Sequence, residues 1–185
     1  MAKIYIILCA LYIMVANATI VFNGNPVEAN QANTQKTNQL LNIAKSQIGV
    51  REATGNNDGP QVVQYLAYTG NKKGEPWCAA FVSWVFGQAG YPQPRTAWSP
   101  SLFPAKRLVK TAQPGMVFGI YFPAKKRIAH AGIIEKIYHR WIYAIEGNTN
   151  TKASREGDGV YRKLRHKYSV NAVANWLPKE GGKYD

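Results

Sequence analysis

Cys78 is the residue of this chain best suited to do chemistry. It stands in the run Glu75-Pro76-Trp77-Cys78-Ala79-Ala80-Phe81-Val82-Ser83-Trp84, where Pro76 fits the first turn of a helix and places the thiol near that helix's N-terminus. Unpaired backbone N–H groups and the helix dipole favour a thiolate there. A lowered thiol pKa makes the sulfur a nucleophile, and the same N–H groups can stabilise an oxyanion that develops beside it during acyl transfer. The competing reading is a small buried thiol that packs at a helix start.

A cysteine nucleophile needs a base, and the chain has three histidines, His130, His139 and His166. His130 lies early in the strand-like run Ile128-Ala129-His130-Ala131-Gly132-Ile133-Ile134, among small neighbours that leave room for substrate and for a turning imidazole. His139, beside Arg140 in the turn that follows, and His166, in the basic run Arg165-His166-Lys167, read as solvated surface residues. If the strands Ile128 to Ile137 and Trp141 to Gly147 turn about Tyr138 or His139, His130 faces the segment Glu146 to Asn148. Strand parity puts Glu146 and Asn148 on one face and Gly147 on the other. A carboxylate or an amide then lies across from the histidine, where it can fix the tautomer of the ring and stabilise its protonated form.

The elements that would position these residues follow from the hydrophobic period. Leu40, Ile43, Ala44 and Ile48 recur at helical spacing, with Thr37 or Asn38 as cap and Gly49 as stop. A second short helix runs from Pro60 to Gly70, and a third from the Pro76-Trp77-Cys78 segment to Gly90. The third is apolar nearly all round, so it must be the buried one. After a proline-rich loop from Pro92 to Pro104 the period becomes that of strands: Met116 to Phe122, Ile128 to Ile137, Trp141 to Gly147, Val160 to Leu164 and Ala172 to Leu177. Helices first and strands afterwards, joined by short turns, predict an α+β domain with an antiparallel sheet.

At 185 residues the chain is long enough for one domain with a real core. Met1 to Phe22 carries a single charge, Lys3, and an apolar run from Ile4 to Val15 followed by Ala16 and Ala18, which predicts an exported protein with a signal peptide over 1–18, or to 29 by the second small-x-small site. The run is too short for a retained membrane span. Removing it takes Cys9 away and leaves Cys78 as the single thiol, which rules out an internal disulfide. Residues 19–36, rich in Asn, Gln and Thr, read as a flexible linker, with the catalytic domain over 37–185. The formal charge of +13 suits polyanions, which for an exported protein are anionic cell-wall polymers before nucleic acid. No metal or cofactor is expected: paired ligand spacing for zinc is absent, and Asn57-Asp58-Gly59 lacks the acidic spacing of a calcium loop and suits turn geometry.

Pro76-Trp77-Cys78-Ala79-Ala80-Phe81-Val82-Ser83-Trp84, His130-Ala131-Gly132-Ile133-Ile134-Glu135 and Ile145-Glu146-Gly147-Asn148-Thr149 together resemble the CHAP family of cysteine, histidine-dependent amidohydrolase/peptidases, relatives of the NlpC-like peptidases. The similarity spans about Thr37 to Pro178. It implies a papain-like fold, peptidoglycan as substrate, and catalytic roles for Cys78, His130 and Glu146 with Asn148 assisting. Trp77, Asn57 and Trp98 are expected to contact substrate. The chain departs from the family pattern at Pro114-Gly115-Met116 and Ala129-His130, where an acid and a glycine are often found. The expected activity is amide hydrolysis in peptidoglycan, as an N-acetylmuramoyl-L-alanine amidase or an endopeptidase, outside the cell or in the periplasm, by a monomer. The alternative is a catalytically idle wall-binding or assembly module.

Overall fold

The computed structural model describes residues 26–151 and 157–178. The proposed signal peptide, with Cys9, lies outside them. Three helices come first, α1 (Pro26–Ser46), α2 (Pro60–Tyr68) and α3 (Cys78–Gln88). Five strands follow, β1 (Val117–Phe122), β2 (Arg127–Tyr138), β3 (Trp141–Thr149), β4 (Gly159–His166) and β5 (Ala172–Ala174). They form one antiparallel sheet in the order β4-β3-β2-β1-β5. This is the papain-like α+β arrangement.

The central strands are buried on both faces, which is why β2 reads as a continuous buried run from His130 to Ile134 instead of alternating. One face carries Val117, Ala131, Ile133 and Ile145 and packs against the helices, chiefly against Phe81, Val82, Val85 and Phe86 of α3. The other carries Phe118, Ile134, Ile142 and Ala144, covered by Met116 and by partly buried Val109, Val170 and Val173. All-round burial of α3 matches its uniformly apolar sequence, and its one buried polar side chain is satisfied: Ser83 Oγ donates to the Thr96 carbonyl at 2.8 Å and accepts from the Thr96 N–H at 3.0 Å.

Three boundaries differ from expectation. α1 starts at Pro26, so the part of the expected linker from 26 to 36 is helical. Its exposed residues carry no apolar stripe, but a helix already anchored by buried Leu40, Leu41 and Ala44 extends at one hydrogen bond per residue once nucleated. α3 starts at Cys78 itself, and Pro76 lies ahead of the helix. That shift moves the thiol from near the helix N-terminus to its first residue. β5 is shorter than predicted because Asn175 turns away to donate its N–H to the Arg107 carbonyl, and the Trp176 indole donates to the Leu102 carbonyl.

Candidate active site

The site forms where the first residue of α3 meets the start of β2. Trp77, the N-cap of α3, makes no side-chain capping bond, so the helix start keeps its N–H field directed at the Cys78 region. Cys78 is 6 % exposed and is a free thiol. Its Sγ lies 3.4 Å from Oγ of Ser99, which is buried at the start of a 3-10 turn, Ser99–Leu102.

A β-bulge prepares the strand for its histidine. Ile120 pairs with His130 but Tyr121 pairs with Ile128, leaving Ala129 as the extra residue. His130 is 8 % exposed, and its Nε2 is 2.7 Å from Glu146 Oε2. With Nε2 engaged, Nδ1 is the ring atom left for the thiol. Glu146 is completely buried. A buried carboxylate needs compensation, and Arg165 on β4 supplies it: Nε donates to Oε1 at 2.8 Å and Nη2 to Oε2 at 2.6 Å. The run that reads as a surface basic patch therefore contributes the counter-ion of the site. Arg165 pairs with Ile142 across the sheet, one of the side chains of the face that carries Glu146.

Gly132 completes the geometry. Continuing the β2–β3 register from Ile133↔Ile145 puts Gly132 opposite Glu146, and a Cβ there would come within 2.7 Å of Glu146 Cγ and of Phe118. No larger residue leaves room for the carboxylate in this position.

The electrostatics form a chain. Burial pushes the Cys78 thiol up, but hydrogen bonding to His130 and its positive charge overcome that and bring it down to about 7, with smaller help from Ser99 and the Ala131 backbone. Burial pushes His130 down, and the thiol and Glu146 together raise it to about 9. Burial pushes Glu146 up, while the Arg165 hydrogen bonds and then His130 hold it at about 2. A thiolate–imidazolium pair backed by a permanent carboxylate is thus favoured near neutral pH.

The other expected residues are distributed less evenly. Asn148 does not take the imidazole. Its left-handed backbone (φ 50°) turns it to donate Nδ2 to Asn57 Oδ1 at 3.3 Å, and Asn57, also left-handed at φ 53°, lies with it beside Cys78 and His130 in a cavity of about 750 Å³. Trp98 is 53 % exposed on a second cavity of about 440 Å³. Trp77 has no exposed surface and offers nothing to a ligand. It stacks on Tyr65 and donates its indole N–H to Glu52 Oε1 at 2.8 Å, while Glu52 Oε2 accepts the Asn57 N–H at 2.9 Å. Trp77 and Glu52, the latter not singled out in sequence, thus hold the Asn57 loop against the start of α3. His139 is exposed in the β2–β3 turn, and His166 is half-buried against Trp141 and Tyr168.

Asp58 accepts from the Thr54 N–H and hydroxyl, each at 2.9 Å, as a turn residue does. Among the described residues no group of three or more His, Cys, Asp or Glu side chains gathers as a metal site, and no helix is long and apolar enough to cross a membrane.

Neither a protein-family model nor a curated protein matches the chain. Among solved structures, it is similar to the peptidoglycan hydrolase RipB from Mycobacterium tuberculosis, at 19 % identity over 84 % of this chain and 74 % of that one, with a TM-score of 0.51. The P60 domain of an antigen from M. avium paratuberculosis aligns at 16 % identity over 78 % of this chain and 96 % of that one, TM-score 0.49. The likeness to RipB is one of fold.

Proposed function

We propose that this chain is an exported cysteine hydrolase that cleaves amide bonds in peptidoglycan, with Cys78 as nucleophile, His130 as general base and acid, and Glu146 as the residue that orients the imidazole. The observation that carries the reading is the convergence of thiol, imidazole and buried carboxylate at a helix N-terminus. Such an array has a chemical use that a packing role for the thiol does not explain. The fold shared with RipB, itself a peptidoglycan hydrolase, supports the wall as substrate, as does the charge of +13, which draws the protein to anionic wall polymers. We keep CHAP as the family because the resemblance names a glutamate as third residue and Glu146 stands against His130.

In the mechanism the Cys78 thiolate attacks the amide carbonyl carbon, and the oxygen becomes an oxyanion beside the first N–H groups of α3. The imidazolium of His130 gives its proton to the leaving amine as the C–N bond breaks, leaving a thioester on Cys78. Water then loses a proton to His130, attacks the thioester, and releases a carboxylic acid and the Cys78 thiolate, which restores the thiolate–imidazolium pair. Glu146 stays ionised throughout and stabilises each imidazolium that forms. Asn148 assists by its place beside His130 in the cavity, and Asn57 and Trp98 offer substrate contacts. Arg165 is a positioning residue that acts through Glu146.

The reaction is an amidase cut between sugar and peptide or an endopeptidase cut within peptide. Digestion of purified peptidoglycan, with mass spectrometry of the soluble fragments, tests the reading and names the bond. Release of fragments with one new amine and one new carboxyl end is expected. Intact peptidoglycan after incubation with folded protein overturns it in favour of an idle wall-binding module.

A further inference from the structure

Cys78 sits at the junction of two cavities whose walls differ in chemistry. The larger is walled beyond the catalytic side chains mainly by Ile120, Phe122, Pro123 and Ala124. The smaller carries three cations, Arg95, Lys125 and Arg127, together with Trp98. Lys125 stands at the border and lines both.

The two guanidinium groups of the smaller arm are held in place without being neutralised. The Arg127 guanidinium lies 4.0 Å over the Trp98 ring, and its Nη1 donates to the Ile128 carbonyl at 3.2 Å. The Arg95 guanidinium lies 4.7 Å from the Tyr68 ring centroid and donates Nε to the Tyr68 carbonyl at 2.8 Å. Among the described residues none of the three makes a salt bridge, whereas Arg162 and Arg165 are both paired with glutamates. The one acid of the arm, Glu75, is spent on its own turn: one oxygen accepts from Asn71 Nδ2 at 2.5 Å and the other from the Lys72 N–H at 3.0 Å. Three cations therefore face the smaller cavity with no carboxylate bound to them.

We propose that this arm is a subsite for a free carboxylate of the substrate, so that Cys78 cuts peptides carrying an unamidated acidic group on one side of the scissile amide and uncharged groups on the other. The inference rests on the reading of Cys78 as nucleophile for the word "substrate", but the subsite is a property of binding. Stacked guanidinium groups are pre-organised and present paired N–H donors that match a carboxylate. Their aromatic supports remove rotamer freedom that binding would otherwise have to remove. The larger arm offers a carboxylate Lys125 at its border but neither of the two guanidinium groups. The two arms thus set the direction in which a wall peptide lies across the thiol.

The test is calorimetric binding to the full chain carrying Cys78→Ala, which binds without turnover. The ligands are two synthetic acidic peptides that differ in one group, a carboxylate or its carboxamide. The carboxylate peptide is expected to bind about tenfold to a hundredfold more tightly. Arg127→Gln with Lys125→Gln should weaken the carboxylate peptide far more than the carboxamide peptide, and added salt should narrow the gap. Equal affinity for the two peptides, absence of binding by the carboxylate peptide, or a preference undiminished by the double substitution overturns the subsite. Because the thiol is absent from this assay, failure of the subsite is read separately from failure of the cysteine mechanism, which the digestion of peptidoglycan tests.

Discussion

A single oxygen of Glu146 serves two partners: Oε2 lies 2.7 Å from Nε2 of His130 and 2.6 Å from Nη2 of Arg165. The carboxylate is therefore both the hydrogen-bond partner of the imidazole and half of a buried ion pair. Arg165 keeps it ionised, and also draws off part of the charge that would otherwise stabilise the imidazolium.

Glu146→Gln keeps the shape and one hydrogen-bond acceptor but removes the charge. Turnover should fall by roughly tenfold to a thousandfold, less than for His130→Ala, because an amide can still orient the ring. The Cys78 thiol should also titrate at higher pH, since a less stabilised imidazolium stabilises thiolate less. Rates of alkylation of Cys78 against pH, measured beside turnover, check both. If neither changes, Glu146 is a bystander.

Arg165→Gln leaves Glu146 buried with His130 as its remaining charged partner. The protein should lose stability toward the lower end of the about 3–5 kcal/mol typical of breaking a buried pair, because the arginine is partly exposed. The imidazolium should be held more strongly, moving the alkaline limb of the pH–rate profile upward. Denaturant unfolding reads the first effect and the profile reads the second. A loss of stability with an unmoved profile would make Arg165 a structural residue alone.

Wild-type kcat/KM should be bell-shaped in pH. The acid limb follows the thiol, brought to about 7, and activity rises as thiolate forms. The alkaline limb follows His130, raised to about 9, and activity falls as the proton needed by the leaving amine is lost. His130→Ala should abolish the alkaline limb and shift alkylation of Cys78 to higher pH. Alkylation of this variant with the wild-type pH dependence would detach the histidine from the thiol.

Gly132→Ala places a methyl 2.7 Å from Glu146 Cγ, closer than side chains tolerate. The carboxylate should be displaced from His130, giving a loss of turnover similar to Glu146→Gln, with destabilisation of about 1–3 kcal/mol from overpacking. Circular dichroism and turnover on purified peptidoglycan check this. Undiminished turnover would show that the Glu146 position is adjustable.

The helices, the strands and the pairing of His130 with Glu146 were legible in sequence because period and parity are local. Apolar spacing marks α3, and hairpin arithmetic brings the segment Glu146 to Asn148 opposite the histidine. Arg165 was not legible as part of the site. Its charge and its neighbours His166 and Lys167 suggest solvent, and only the β3–β4 pairing reveals that its side chain reaches a buried carboxylate. Trp77 misleads for the opposite reason: beside a nucleophile an aromatic residue suggests substrate, yet its ring is needed between Tyr65 and Gly147. The start of α1 escaped because residues 30–36 are mostly exposed and carry no apolar period. Asn148 was placed on the right strand, but a bulge between Glu146 and Thr149 turned it toward Asn57, and bulges leave no mark in the hydrophobic pattern.

The most direct test of the central claim is the rate at which purified peptidoglycan is solubilised by wild type and by Cys78→Ala at equal concentration, with circular dichroism showing both folded. Replacing the sulfur by hydrogen changes little volume, so the account predicts a folded variant with no release of fragments above the background without protein. Release by folded Cys78→Ala at the wild-type rate would contradict it.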